Sequence, residues 1–344
     1  MKAAVITRQG RPVAPNVRLV GDWPDLAVAP AGMAIVRTEA SALNQLDLTV
    51  GKGVPGLDLT YPRVSGADGV GIVEAVGADV DPKWVGARVA LNAQVPRRDP
   101  HRPALAPAAD DREMIGEHLQ GTHAERFIAP VASLLDIGEC DPADAAAFAL
   151  VHLTAWRMLV TRAQIRPGMS VLIPGIGGGV ALALLNIARH LGCITLVTSR
   201  SAAKLDRAAA LGADHAILDD GSDWSKQVRA ATGKRGVDIC ADSVGKAVHL
   251  PCVKSLARGG VLVTCGATSG FDAVTDLGRI FWLQLSILGS TMGDMHEFRQ
   301  VMSLLRRGLL RPVVDRVFAA HEAPDAFARL ESAEQFGKVV IRWS

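Results

Sequence analysis

The chain has no CxxC pair, no clustered cysteines, no strong charge imbalance and no long unbroken apolar run. Each absence excludes a class of protein. The five cysteines, Cys140, Cys193, Cys240, Cys252 and Cys265, are odd in number and scattered. That pattern suits free thiols in a reducing compartment and argues against a disulfide framework. A formal net charge of +2 is too small to call for nucleic acid or an anionic membrane. The opening MKAAVITRQG lacks the apolar core of a secretory signal. From Pro167 to Ala188 no residue is charged, and that length could cross a bilayer. Pro174, Gly175, Gly177, Gly178 and Gly179 interrupt the stretch, so it reads as strand, turn and helix. The expectation is a cytoplasmic protein with no membrane and no nucleic-acid partner.

With 344 residues the chain can build two domains, and 49% hydrophobic against 21% charged residues is a globular balance. Its middle alternates strands and helices. Strands are expected at Ser170–Pro174, Ile194–Thr198, His215–Leu218, Val237–Ala241, Gly260–Cys265 and Leu285–Leu288, with helices at Gly178–Leu191, Ala202–Leu211 and Val248–Ala257. Strands separated by helices of about ten residues imply an α/β doubly wound parallel sheet. The first 150 residues differ: AAVIT, MAIVRT, GVGIVEAVG and ARVALN sit among Gly and Pro turns, as in a mostly β domain. Gln94–Asp111 reads as an irregular loop. An amphipathic helix is expected at Met295–Arg307, then strands at Val313–Val317 and Lys338–Arg342. The layout is a nucleotide-type domain inserted in a split β-rich domain.

SVLIPGIGGGVALALLNIARHLG runs from a strand through a Gly-rich turn into a helix, as dinucleotide binding requires. Gly175 and Gly178 give the turn, Ala181 stands where a third Gly is usual, and Gly179 and Val180 open the helix, whose free N–H groups suit a pyrophosphate. About twenty residues past the first glycine, an NAD enzyme usually carries an acid for the ribose 2′-hydroxyl. Here Thr198, Ser199, Arg200 and Ser201 follow, with Lys204 a turn on. A carboxylate would repel a 2′-phosphate and an Arg can grip one, so the expected cofactor is NADPH. The alternative is that Arg200 and Lys204 are a solvated helix start.

Eight segments, ASALNQLDLTVGKGVPG, SGADGVGIVEAVG, GTHAERFIAP, LVHLTAW, VLIPGIGGGVALALLN, LGADHAI, ARGGVLVTCGATSG and QLSILGSTMG, together resemble the medium-chain dehydrogenase/reductase superfamily, in its order and over nearly the whole chain. The resemblance is to its zinc-independent, quinone oxidoreductase-like branch. It implies a GroES-like, mostly β catalytic domain over residues 1–150 and 293–344, a Rossmann domain over 151–292, and a cofactor cleft. At the family's three zinc-ligand positions stand Asn44, Ala67 (in Gly66-Ala67-Asp68) and Leu150. Two of them offer no lone pair to a metal. No Cys lies between Leu91 and Glu139, so a structural zinc lobe is not expected either. His101, His118 and His123 lack metal-ligand spacing and read as surface or packing residues.

The resemblance also implies site residues. Asn44 and Asp47 line the active site, Asn44 as a donor to an acceptor oxygen or the cofactor and Asp47 as an orienting group. Thr154 contacts the cofactor, and Gly266, Ala267, Ser290 and Thr291 form a backbone shelf beside it. His152 is a possible proton donor, with a packed histidine as the favoured reading. The expected activity is hydride transfer from NADPH to a quinone or activated C=C of a small molecule. An alcohol or carbonyl dehydrogenase, or a non-catalytic NADPH-binding protein, are the alternatives. The exposed apolar run Gln284–Gly293 would pair two copies edge to edge as a homodimer.

Overall fold

A computed structural model describes residues 1–96 and 112–343. His101 and most of the loop expected over Gln94–Asp111 lie outside the described residues. Its first residues are not loop, however: Gln94–Pro96 pairs antiparallel with Arg112–Met114. The chain divides into two compact units. One comprises Met1–Leu150, Asp294–Arg306 and Val314–Ser344, and the other Val151–Gly293 and Arg307–Val313.

The second unit is built on six parallel strands, Ser170–Ile173, Ile194–Ser199, His215–Leu218, Val237–Asp242, Leu256–Thr264 and Ser286–Gly289. Numbered along the chain, their spatial order is 3-2-1-4-5-6, the doubly wound order with a switch point between the first and fourth strands. Residues 170–173 are buried throughout, as expected of a strand covered on both faces. Leu172, Leu196, Trp224, Cys240, Cys252 and Leu262 form one core cluster there. The last of the three helices expected there begins at Lys246, two residues before the expected start, because Gly245 at φ 90° turns the chain there. It ends at Ser255, where the strand begins four residues earlier than expected.

The first unit carries a sheet whose path runs Leu134–Asp136, Arg88–Leu91, Asp68–Val76, Met33–Ala42, Lys338–Arg342 and Val314–Ala319, with Arg126–Pro130 also paired to Met33–Ala42. A second sheet joins Val17–Val20, Ala3–Ile6 and Arg63–Val64. The C-terminal strand is antiparallel to Met33–Ala42, with Val340 opposite Ala42 and Ile341 opposite Ser41. Ile6, Leu43, Leu48, Phe318, Phe327, Val339 and Ile341 pack into one core.

The sequence reading passed over five helices: Gln45–Lys52, Pro142–Trp156, Ser225–Ala231, Leu277–Leu283 and Ala323–Glu331. Pro142–Trp156 is nearly all apolar and so shows no amphipathic period. With its continuation to Arg162 it is the one described helix long and apolar enough to cross a membrane, yet 78% of that apolar window is buried inside the fold. It is packed as a core helix.

Phe327 is fully buried and meets His123 edge-on, with ring centroids 5.8 Å apart. Phe327→Ala is therefore expected to destabilise the first unit by about 3–5 kcal/mol, read from urea unfolding. A loss below about 1 kcal/mol would contradict this packing.

Candidate active site

The carboxyl ends of the parallel strands gather most of the residues singled out for a dinucleotide. Gly175 (φ 69°) and Gly177 (φ 125°) take the left-handed conformations that let the chain turn back after Ile173. At Gly177 a Cβ would also sit 2.8 Å from Lys204 Cδ, so the Lys204 stem lies against the Gly-rich turn. Gly178 is the N-cap of Gly179–His190, and no side chain caps that helix. Its first-turn N–H groups thus form an anion-binding end. At the neighbouring strand end, Ser199 Oγ accepts from Ser201 N (3.1 Å) and Ser201 caps the next helix. Arg200 between them is exposed.

Two strands further, Asp242 ends its strand and accepts N–H bonds from Val244 (2.8 Å) and Gly245 (3.1 Å). This turn is braced on Gly266–Gly270: Ser269 N donates to Val244 O at 2.9 Å. Gly266 and Ala267 follow Thr264, and Ser290 N donates to Thr264 O at 2.8 Å. Glycine turns and a helix end that no side chain caps leave backbone N–H groups to meet a dinucleotide, so the residues present fit that group. Burial pushes the Asp242 carboxyl up to about 6, against the two N–H bonds that favour its ionised form. Burial, then the charge of Asp242, pushes the Cys265 thiol up to about 12.

His152 and Thr154 are both buried, on Pro142–Trp156. Two residues apart on a helix, they lie about 200° apart and do not share a face.

The first unit holds a different arrangement. Asn44 lies two residues past the strand Met33–Ala42 and is the N-cap of Gln45–Lys52, with its backbone N–H donating to Asp47 Oδ2 at 2.7 Å. Asp47 thus orients its neighbours. Burial alone would raise its carboxyl, but His123, the Asn44 N–H and Ser65 outweigh burial and hold it below the ordinary range. His123 Nε2 lies 3.3 Å from Asp47 Oδ1, and Nδ1 lies 2.8 Å from Ser41 Oγ, which accepts from Trp343 Nε1 at 2.9 Å. A tautomer with Nε2–H toward Asp47 leaves Nδ1 to accept from Ser41. Gly66 (φ 112°) makes this possible, since a Cβ there would sit 2.6 Å from Thr122 Oγ1 and 2.9 Å from His123 N.

Beside this network lies a buried ion pair. Lys338 Nζ donates to Asn44 Oδ1 (2.6 Å), Leu43 O (2.8 Å) and Asp68 Oδ2 (2.9 Å). Three acceptors require three N–H donors, so the group is an ammonium. Asn44 Nδ2 donates to Asp68 Oδ2 (2.9 Å) and less closely to Ala42 O (3.2 Å). Asp68 Oδ1 accepts from Leu150 N at 2.8 Å. Both amide hydrogens of Asn44 are thus engaged within the cluster. The three positions compared with zinc ligands meet around Asp68: the Asn44 amide, the Leu150 backbone, and Ala67 beside it in sequence. Among the described residues, no three His, Cys, Asp or Glu side chains converge as metal donors.

Sequence reasoning missed Lys338 altogether; its reading of His123 as a packing residue fits the contact with Phe327 but did not include the approach to Asp47. A lysine opening the buried strand KVVIR was the one available signal.

Residues 30–139 match the family described as alcohol dehydrogenase GroES-like domain, and residues 179–307 that described as zinc-binding dehydrogenase. A solved structure titled NAD-dependent alcohol dehydrogenase is 35% identical, with a TM-score of 0.91 and 100% of each chain covered. The chain belongs to the medium-chain dehydrogenase/reductase superfamily. It is an oxidoreductase of that superfamily, with the GroES-like and Rossmann parts expected from its sequence. Two curated relatives show the spread of the superfamily. A zinc-type alcohol dehydrogenase-like protein of Schizosaccharomyces pombe is 28% identical over 90% of this chain and 91% of its own. The spectinabilin polyketide synthase system protein NorB of Streptomyces orinoci is 31% identical over 93% of this chain, which matches 14% of that much longer protein.

A carboxyl whose pKa is raised by folding binds its proton more tightly folded than unfolded. Asp242 therefore costs stability progressively as pH rises from 3.8 through about 6. Asp242→Asn keeps an acceptor for the two N–H bonds and removes the charge. Thermal unfolding should show the variant gaining on the wild type over that interval; a difference independent of pH would contradict it.

Proposed function

We propose that this oxidoreductase is zinc-independent and NADPH-dependent, and passes a hydride to a quinone or to the electron-poor C=C of an enone or enal. The observation that carries the reading is the Lys338 ammonium seated between Asn44 and Asp68, beside Ala67 and the Leu150 backbone. Zinc needs thiolate, imidazole or carboxylate donors in a tetrahedral set. Of the two carboxylates here, Asp68 is already engaged by a lysine and Asp47 by the Asn44 N–H, so the residues do not fit that metal. Quinones and enones suit such a site, because they need only a hydrogen bond at oxygen and no strong Lewis acid.

NADPH, when bound, supplies the hydride. Gly175, Gly177, Gly178, Gly179 and Val180 would present backbone N–H groups to its pyrophosphate, and Ser199, Arg200 and Lys204 would meet the 2′-phosphate. Gly266, Ala267, Ser290 and Thr291 would support the nicotinamide side, with Thr154 as a further contact. Asn44 would donate to the acceptor oxygen, where negative charge grows. His152 is only 2% exposed, so proton delivery falls to solvent. The relatives' titles favour a second reading, an alcohol or carbonyl dehydrogenase.

NADPH oxidation by a panel of quinones, enones, aldehydes and alcohols, with and without a chelator, separates the two. Turnover of quinones or enones indifferent to chelator is expected. Chelator inhibition reversed by zinc, or alcohol oxidation as the main activity, would sink the proposal. Arg200→Ala should raise the KM for NADPH about tenfold or more and leave NADH kinetics within about twofold. Comparable kcat/KM for the two cofactors in the wild type would contradict NADPH preference.

We also propose a homodimer in a cytoplasmic, reducing setting, which all five free cysteines fit. The outer strand Ser286–Gly289 carries the exposed Ile287, and the segment before it in the chain exposes Phe271, Val274, Leu277, Phe281 and Trp282, the first two more than 80%. An open sheet edge and exposed apolar side chains in the segment that leads to it suit a second copy. Light scattering should give a dimer that Trp282→Glu with Ile287→Glu breaks; a monomeric wild type would contradict it.

A further inference from the structure

Lys338 is unexpected chemistry for the interior. Its side chain is 4% exposed and its partner Asp68 is fully buried. Interior lysines are rare because an ammonium loses its hydration, and they persist only when paired and fully bonded. Here all three N–H groups find oxygens, one on the side chain of a residue already assigned to the site.

The Asn44 amide is the point where this charge leaves the cluster. Its oxygen takes the shortest of the three ammonium bonds, 2.6 Å, and one amide hydrogen is held by Asp68 at 2.9 Å. The amide plane is therefore pinned at two corners. The remaining hydrogen goes to Ala42 O at 3.2 Å, the loosest bond of the set, on the most exposed side chain of the three. A cation bonded to an amide oxygen draws electron density from the nitrogen and makes its N–H groups stronger donors. A charge-assisted bond at one end thus strengthens the donor at the other.

We propose that Lys338 is a positioning residue that does at second hand what a metal would do directly. Its ammonium pins and polarises the Asn44 amide, and the loosely held N–H is handed to the acceptor oxygen of the substrate. The positive charge of the site is built into the chain and reaches the substrate through one side chain. This rests on the reductase reading, in which Asn44 meets that oxygen. It also assigns Asp68 a part, as the counter-charge that keeps the ammonium in place. It explains why the Asn44 hydrogens are engaged in the free protein: a donor parked on a weak acceptor is released at little cost when a better one arrives.

The test uses the full-length protein, with NADPH and the best acceptor of the panel. Lys338→Met keeps most of the stem and removes the charge. It should lower kcat about tenfold or more, with the KM for NADPH within about twofold, since Lys338 acts only on the acceptor side. It should also unfold at a lower temperature, because Asp68 is left without its counter-charge. The double variant Lys338→Met with Asp68→Asn removes both charges and should recover much of that thermal stability. Its kcat should stay low. Recovery of kcat together with stability would make Lys338 a mere counter-ion and overturn the proposal, as would an unchanged kcat in the single variant. Should the single variant fail to fold, the double variant alone decides. Metal content of the dialysed wild type keeps the underlying reading separate. Stoichiometric zinc, or a wild type inactive with every acceptor, overturns the reductase reading and this inference with it. A metal-free active wild type with an indifferent Lys338 overturns the inference only.

Discussion

The first unit is organised around one electrostatic constraint, the burial of Lys338 against Asp68. Two opposite charges out of water are tolerated only with near-complete hydrogen bonding, and that demand reaches into four chain segments. The C-terminal strand must bring Lys338 to the end of Met33–Ala42, which the pairing of Val340 with Ala42 achieves. Leu43 must turn its carbonyl toward the ammonium. Asn44 must hold its amide between the two charges, and Asp47 fixes Asn44 from its backbone side. Leu150 must offer a backbone N–H to Asp68. Removing any one of these leaves a charge or a polar atom uncompensated in the interior.

The second unit meets a different demand. Its parallel strands end in turns whose backbone must stay available to a ligand, so glycine takes the place of side chains. Gly175 and Gly177 adopt conformations closed to most residues, and Gly178 leaves the helix end uncapped. Asp242 is the one strongly perturbed carboxyl there, and its two N–H bonds fix the turn at Val244 and Gly245. The two units divide the labour: one is prepared for a large anionic cofactor, the other carries an internal cation.

The Rossmann part was largely legible in the sequence, because its strands are continuous apolar runs and its turns carry glycines at fixed offsets. His215–Leu218 and Lys338–Arg342 were read to the residue. Pro142–Trp156 was not read as a helix, because burial on all sides erased its periodicity. Leu277–Leu283 escaped for the opposite reason: Leu277, Phe281 and Trp282 are exposed and Leu283 alone packs against the core cluster, too little for a core-facing stripe. In the site, Asn44, Asp47, Ala67 and Leu150 could be singled out through the resemblance to the family pattern. Lys338 could not, since its partners lie 270 and 294 residues away in sequence. A lone lysine in KVVIR carries no sign of them, and a long-range ion pair has no local signature.

The central claim is hydride transfer from NADPH in a site whose cation is organic. It is tested most directly by following deuterium from 4,4-dideuterated NADPH into an enone, using protein stripped of metal by exhaustive chelation. The account predicts a deuterated product at the rate of the untreated enzyme. A rate that collapses on stripping and returns with added zinc would contradict it.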